Sequence, residues 1–485
     1  MTVPTIDEPL LSLVRELYPL HRTLVSDGTD EALERVRAHL GPGVRYEIER
    51  FAPGARAWTW RVPKRWVVHE AYIEIEGGER VLDFARNPLH LVSYSDSVDA
   101  TLTWEELAPH LRVSDARPHA IPWEFSYYEP GWGFCLSAEQ RATLPRDAAY
   151  RVVIHAELRD GPRDGLAVGV ATVGPTGGEE FLICAHICHP MQANDDLAGV
   201  ASAVEVMRRL AARPLPDHAL GVRLLLCPET IGSVCYLSAH EDLIERLSGA
   251  VFCEMTGNDM GLALQRTRQD DHVLDRIARA ALAACCGSVR EGAFYESVGN
   301  DELVINGPGV DVPCVSITRW PYPEYHTSDD SPAIIAEARL REAADVVEEI
   351  VRVYATNYVP RRLFRGPVFL SGHGLWVDWR RNPALNRALD QIMLRLEGDR
   401  TVYEIAEELG LAYRDVLDYL ERFRARGLIE ALPLPNVSSA GGGPRRAGIA
   451  MTAHPPDAVP AESPAPAPGH PNNRKQPTIG HKLKR

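Results

Sequence analysis

The spacing of apolar and polar positions changes along the chain and predicts its elements. Apolar residues recur at helical spacing over residues 6–40, interrupted by turn-forming residues at 26–30. Over residues 46–94 the pattern alternates and is rich in aromatic residues, which predicts a small β-rich unit. We therefore expect a helical N-terminal part followed by an inserted β-rich segment.

Short apolar runs and longer helical patterns alternate between residues 150 and 357. The short runs fit buried strands, and the longer patterns fit helices. The strand-like runs are 150–158, 166–173, 181–186, 222–228, 250–255 and 312–318, and the helical patterns are 197–212, 233–248, 275–286 and 337–357. This order indicates an α/β fold with a mostly parallel sheet flanked by helices.

Three further helical patterns follow residue 358, where the composition shifts. They cover residues 382–396, 401–409 and 413–426, and their succession predicts a winged helix-turn-helix. Acidic residues offset the arginines of the third helix, so packing or protein contact is favoured over DNA reading. From Pro435 the chain is rich in Ser, Gly, Pro and Ala, which predicts a disordered tail.

These patterns predict a chain of five parts within 485 residues, a length with room for two or three domains. The parts are an N-terminal helical part of the main domain (1–45), an inserted β-rich domain (46–120), the main α/β domain (121–360), a winged-helix domain (361–434) and a disordered tail (435–485).

The composition is that of a soluble globular protein, with 45% hydrophobic and 25% charged residues. A net charge of −15 argues against affinity for nucleic acid or anionic membrane. No apolar run approaches the roughly 20 residues of a membrane span, and the N-terminus lacks a signal-peptide pattern, so we expect a cytoplasmic protein. The nine cysteines include no CxxC pair and predict free thiols instead of disulfides.

Ionisable side chains follow four of the predicted strands. His186 and His189 come directly after one strand, and Asp195 precedes the next helix. Glu229 and Glu254 each end or follow another strand, and His326 lies on the loop after a fourth. Because ligands of open α/β sheets collect at the carboxyl ends of strands, we expect these six residues to converge.

Imidazole nitrogens and carboxylate oxygens together suit a divalent ion such as zinc, and one carboxylate can bridge two ions. A structural histidine at a strand end and an ordinary helix cap would explain each residue taken alone. Their recurrence at the same topological position favours a metal site.

Five sequence segments resemble the spaced motifs of the zinc-dependent aminopeptidase clan. They are AHICHPMQANDDLAG, PETIGS, FCEMTG, GNDE and EYHTSDD. More closely, residues 6–434 resemble a bacterial family with an aminopeptidase-like domain, an inserted β-unit and a C-terminal winged helix. The fold implied by the resemblance is a zinc-exopeptidase-like sheet flanked by helices.

The resemblance also implies roles for individual residues. His186, Asp195 and Glu254 would hold one zinc ion, and Asp195 would bridge to a second ion that His326 also binds. Glu229 would be the general base that takes a proton from metal-bound water. The expected substrate contacts are Asp301, Glu302 and Tyr325, with Asp301 or Glu302 receiving a free amine.

Two positions depart from the clan's pattern. Cys188 stands where an acidic residue usually orients the first histidine, and Thr230 stands where a second glutamate usually binds metal. The second metal position is then empty, or it recruits Glu229 or His189. Alternatively, His189 is the first ligand and His186 is structural. The expected cofactor is therefore one or two zinc ions.

The function implied is a zinc-dependent hydrolase of amide bonds, an aminopeptidase acting on small peptides or amino-acyl conjugates. One alternative is a deacylase or amidohydrolase in polysaccharide or secondary-metabolite biosynthesis. Another is a catalytically degenerate binding or regulatory protein. The expected partners are the small substrate and, through the winged helix, a second copy or another protein.

Overall fold

The strands of residues 8–434, which the computed structural model describes, lie in one large mixed sheet and four smaller sheets. The strands are β1 (Arg45–Phe51), β2 (Arg56–Ala57), β3 (Trp60–Arg61), β4 (Arg65–Ile75), β5 (Arg80–Asp83), β6 (Val98–Leu102), β7 (Leu111–Arg112), β8 (Phe134–Cys135), β9 (Tyr150–Arg159), β10 (Leu166–Val173), β11 (Glu180–His186), β12 (Gly221–Cys227), β13 (Leu247–Glu254), β14 (Ala263–Gln265), β15 (Arg290–Gly292), β16 (Cys314–Thr318), β17 (Val359–Arg362) and β18 (Ile429–Leu432).

The large sheet has the strand order β1-β10-β12-β11-β13-β16-β14-β15. Its four central strands, β12, β11, β13 and β16, are parallel, and β10 and β14 join them antiparallel on either side. The predicted α/β class is confirmed. The parallel centre matters for function because it places four strand ends at one edge.

Most helices flank the large sheet. The helices are α1 (Pro9–Leu17), α2 (Asp27–Leu40), α3 (Trp104–Leu107), α4 (Ala138–Thr143), α5 (Gly199–Ala212), α6 (Ile231–Ala239), α7 (Glu241–Ile244), α8 (Val273–Cys286), α9 (Asp301–Ile305), α10 (Glu337–Ala355), α11 (Pro383–Met393), α12 (Val402–Glu408) and α13 (Tyr413–Arg424). The predicted break at residues 26–30 is the start of α2 instead, because the Ser26 side chain accepts a hydrogen bond from the Thr29 backbone N–H.

Each face of the large sheet covers its own hydrophobic core. Along β11, Phe181 and Ile183 face one core together with α1, α2, α5, α8 and α10. Leu182 and Cys184 face the other, which α6 and the inserted strands β4 and β9 complete. This alternation is the period of two that a strand buried on both sides requires.

The second largest sheet has the order β5-β4-β9-β6 and is antiparallel. It takes β9 from outside the predicted insertion at 46–120, whereas β1 from within that range pairs with β10 in the large sheet. Alternation along the sequence predicts a strand but does not say which sheet the strand joins.

The C-terminal helices α11, α12 and α13 form a third core with the β17–β18 pair. The three predicted helical patterns are confirmed, and their assignment to a winged helix stays a prediction. The predicted tail, 435–485, lies outside the described residues. Between residues 8 and 434, no helix is long and apolar enough to cross a membrane.

Candidate metal centre

The carboxyl ends of β11, β12, β13 and β16 bring the predicted ionisable residues together. His186 is the last residue of β11 and pairs in register with Cys227 of β12, two residues before Glu229. Glu254 is the last residue of β13, and the loop after β16 carries His326.

His186, Asp195 and Glu254 form one group of potential ligands. The His186 Nε2 atom lies 3.1 Å from Asp195 Oδ1 and 3.6 Å from Glu254 Oε1. All three side chains are buried. These are the three residues that the resemblance assigned to one ion.

His189, Asp195 and His326 form a second group. Asp195 Oδ2 lies 3.3 Å from His189 Nδ1 and 2.9 Å from His326 Nε2. Asp195 therefore presents one oxygen to each group, as a bridging carboxylate would. His189 stands beside His326, in the group where the clan's second glutamate is replaced by Thr230.

Several potential metal-ligand atoms of both groups are buried without a hydrogen-bond partner among the described residues. They are His186 Nδ1 and Nε2, His189 Nδ1, Asp195 Oδ2, Glu254 Oε2 and His326 Nε2. Buried polar atoms are normally hydrogen-bonded, so a cluster of unpaired nitrogen and oxygen atoms indicates that another group binds between them. Nitrogen and carboxylate oxygen are ligands that zinc accepts, and this donor set therefore fits zinc.

Glu229 lies beside the second group and is the most open acid of the centre. Its Oε2 atom is 2.9 Å from His189 Nε2, and 30% of its side chain is exposed. Burial raises the pKa of Glu229, but the hydrogen bond and charge of His189 outweigh burial and hold the pKa below its usual value. Its backbone N–H donates to Cys188 Sγ at 3.1 Å.

The Cys188 thiol lies close enough to the imidazoles of His186 and His189 for the three side chains to share one ion. The thiol therefore occupies the space between the two imidazoles and the backbone of Glu229. In the clan, an acidic residue usually stands at this position and orients the first histidine.

The ligand loop is the segment between β11 and α5 that carries His189 and Asp195. Two buried residues outside the expected set hold this loop in place. Asp330 accepts hydrogen bonds from the backbone N–H groups of Asn194 at 2.6 Å and Asp195 at 3.1 Å, and from Tyr322 Oη at 2.7 Å. Burial raises the pKa of Asp330 to about 7. Arg22 donates to the carbonyls of Ile187 at 3.0 Å and Gln192 at 3.1 Å.

Asp301 and Glu302 lie beneath the centre and not in its opening. Both are fully buried. Asp301 accepts hydrogen bonds from Ser233 Oγ at 2.5 Å and the Thr230 backbone N–H at 3.1 Å. Glu302 accepts from Gln265 Nε2 at 3.1 Å. Asp301 Oδ2 is buried without a hydrogen-bond partner among the described residues, and the capture of a substrate amine by these two acids stays a prediction.

Tyr325 lies beside His326. Its ring stacks on the His326 imidazole with ring centroids 3.7 Å apart. The side chain is therefore at the edge of the second ligand group.

An aromatic segment, residues 121–128, forms a wall beside the centre. The centroid of the Trp123 ring lies 4.3 Å from the centroid of the His189 ring and 4.6 Å from that of the His326 ring. The Trp123 backbone N–H also donates to the His326 carbonyl at 2.8 Å. The wall and the second ligand group are thus physically joined, and the next aromatic residue, Phe125, is 48% exposed.

The sequence of the chain identifies its family. Residues 11–357 match the family described as Domain of unknown function (DUF4910). The chain belongs to the DUF4910 family. A relative from Clostridium acetobutylicum is 31% identical over 419 residues, which are 84% of this DUF4910 chain and 92% of the relative. That relative carries the provisional name polysaccharide biosynthesis protein with aminopeptidase-like domain.

Solved structures place this DUF4910 chain in the zinc aminopeptidase fold. A provisionally named peptidase from Clostridium acetobutylicum is 27% identical with a TM-score of 0.75, over 87% of this chain and 96% of that one. BSAP, a zinc aminopeptidase from Bacillus subtilis, is 15% identical with a TM-score of 0.54, over 72% and 95%. The resemblance that the sequence motifs carry is confirmed.

Proposed function

We propose that this protein is a zinc-dependent hydrolase of amide bonds that acts as an aminopeptidase on small peptides or amino-acyl conjugates. The observation that carries the proposal is the pair of ligand groups joined by Asp195, with the partly open carboxylate of Glu229 beside them. The zinc aminopeptidase fold supports the same reaction class.

Each ligand group would hold one ion. His186, Asp195 and Glu254 form the first position, and His189, Asp195 and His326 form the second. When bound there, zinc supplies Lewis-acid chemistry and lowers the pKa of water. The His189 Nε2 atom lies within hydrogen-bond distance of Glu229 while Nδ1 faces the ligand group. With the ring proton on Nε2, this would be the usual arrangement of a metal-binding histidine held by a carboxylate.

Glu229 is the residue suited to move a proton. Its lowered pKa keeps it charged near neutral pH, so it can accept a proton from water and pass it to the leaving amine. Tyr325 beside His326 is suited to contact the substrate at the other side of the opening.

Three arginines near the centre bear on the substrate class. Arg22 is bound to backbone carbonyls, Arg117 to Asp329, and Arg319 to the Thr256 carbonyl at 2.8 Å. None of the three is available to pair with a substrate carboxylate. A substrate carboxylate would therefore have to be bound by groups other than the paired guanidinium atoms of these three arginines.

A second candidate function is a deacylase in polysaccharide or secondary-metabolite assembly. It is supported by the name of the Clostridium acetobutylicum relative, which refers to polysaccharide biosynthesis. Such an enzyme would use the same ligand groups and Glu229 on an N-acylated sugar.

Parallel assays separate these functions. Zinc-loaded protein is incubated with amino-acyl p-nitroanilides, with dipeptides and with N-acetylated amino sugars. Release of amino acids from the first two supports the proposal, and release of acetate alone supports the second candidate. Purified protein with less than about 0.2 zinc per chain and no turnover would instead indicate a degenerate site.

A further inference from the structure

Tyr127 carries a buried hydroxyl that no described residue hydrogen-bonds. Its ring is held firmly, stacked on Phe125 at 4.3 Å and in edge contact with Tyr94 at 5.5 Å. The Tyr94 hydroxyl, by contrast, donates to the Lys64 carbonyl at 2.9 Å and accepts from the Val25 backbone N–H at 3.2 Å. Tyr127 is therefore fixed in position while its polar atom stays unpaired.

A series of ring contacts connects Tyr127 to the metal centre. Phe125 lies 5.1 Å from Trp123, which contacts the imidazoles of His189 and His326. Burial raises the pKa of Tyr127 well above its usual value, and the charges of Cys188 and Glu229 raise it further. The hydroxyl thus keeps its proton near neutral pH and acts there as a donor or a neutral acceptor.

An unpaired buried hydroxyl is unfavourable for folding, and a phenylalanine would fill the same space without that cost. Polar groups of this kind persist where another molecule completes them. Beside it, the exposed face of Phe125 offers an apolar surface of the same wall.

We propose that Tyr127 donates a hydrogen bond to an oxygen of the bound substrate while the Phe125 ring takes an apolar aminoacyl side chain. The substrate class is then a small amide with an apolar aminoacyl residue whose oxygen reaches the Tyr127 hydroxyl. This inference rests on the proposed function and deepens it, because it assigns Tyr127 and Phe125 to substrate binding.

The test compares the full-length zinc-loaded protein with Tyr127→Phe and with Tyr128→Phe as a matched control. Tyr128 is the next residue, is 53% exposed and donates to the Arg61 carbonyl at 3.1 Å. Turnover of leucine p-nitroanilide, zinc content and Tm are measured for all three proteins. We expect Tyr127→Phe to lower kcat/KM about ten- to a hundred-fold with unchanged zinc and an equal or higher Tm. Tyr128→Phe should match the wild type.

Three results would overturn the assignment of Tyr127. They are wild-type turnover in Tyr127→Phe, a loss of activity accompanied by lower zinc or Tm, and an equal loss in Tyr128→Phe. If the wild type itself is inactive on every amide, the proposed function fails and Tm decides alone. A lower Tm in Tyr127→Phe then shows that the Tyr127 hydroxyl stabilises the fold. An equal or higher Tm supports a hydroxyl whose hydrogen-bond partner is a bound ligand.

Discussion

Glu229 differs from the other acids of the centre in its access to solvent. Its side chain is 30% exposed, whereas the side chains of Asp195 and Glu254 are almost fully buried. A group that exchanges protons with water needs that access, and a group that only holds a metal does not. The difference in exposure therefore favours proton transfer for Glu229 and metal binding for Asp195 and Glu254.

Glu229→Gln tests this division at the level of one atom. The amide keeps the shape of the side chain but cannot accept a proton, so kcat should fall by about a hundred-fold or more. Zinc content, measured by inductively coupled plasma spectrometry, should stay at the wild-type level. Loss of zinc in this variant would make Glu229 a ligand.

His189→Ala tests the assignment of the second ligand group. Because His189 and His326 share one group, His189→Ala and His326→Ala should each lose about one zinc ion per chain. The double variant should lose no more than either single variant. Additional loss in the double variant would place the two imidazoles on different ions.

His21 makes folding stability sensitive to mild acid. Burial lowers the pKa of His21 to about 4, with the Arg22 charge acting in the same direction. The unfolded chain, with a histidine pKa near 6.5, then binds a proton that the folded chain refuses, so stability falls as pH drops from about 6.5 to about 4. We expect Tm to decline less over this range in His21→Gln. Equal declines in both proteins would exclude His21 as the source.

Sequence could locate the candidate ligands because each lies at the end of an apolar run or on the loop that follows it, and these runs end at the same sheet edge. It could not choose between His186 and His189, because the choice depends on how the loop turns each imidazole toward Asp195. Arg22 gave no signal in the sequence, since its role arises only when distant segments pack against the loop. The GNDE segment did not indicate that the Asp301 and Glu302 side chains are fully buried, because burial depends on the distant segments that pack over them.

At the scale of elements, the aromatic wall and the loop that carries His326 are fastened together. Ile121 and Ser328 exchange two hydrogen bonds at 2.8 and 3.0 Å, and Asp329 binds both Arg117 and His119 at 2.8 and 2.9 Å. The wall therefore cannot move without moving that loop. Sequence could predict each segment but not this attachment, because the segments are about 200 residues apart.

Asp329→Asn should loosen the wall without emptying the centre. The change weakens the ion pair with Arg117 and should lower kcat/KM about three- to ten-fold with zinc content unchanged. Glu124→Gln is the control, since it removes an exposed ion pair with Arg112 on the same wall and should leave kcat/KM as it is. Equal effects of the two variants would mean that the attachment does not position the wall.

At the scale of the whole molecule, the candidate metal centre lies on a sheet that two cores hold from both faces. The sheet edge is therefore rigid, and the ligand loop is the part that has to be held by other means. In the C-terminal module, most arginines are paired within the protein, for example Arg361 with Glu430 and Arg362 with Glu397.

Removing zinc should destabilise the whole fold. The buried Asp195 and Glu254 carboxylates would lose their counter-charge, and ligand binding to the folded state alone adds about 3–4 kcal/mol at saturating metal. We expect a chelator to lower Tm by on the order of 5 to 10 °C, and added zinc to restore it. An unchanged Tm after complete metal removal, verified by elemental analysis, would contradict a zinc centre formed by these residues.

The sharing of Asp195 has a consequence for how the molecule behaves when zinc is scarce. The position formed with Glu254 has two acidic ligands, and the position formed with His189 and His326 has only the shared one. The richer position should fill first, and the poorer one only as zinc becomes plentiful. The supply of zinc in its surroundings would then set what fraction of the protein is fully loaded.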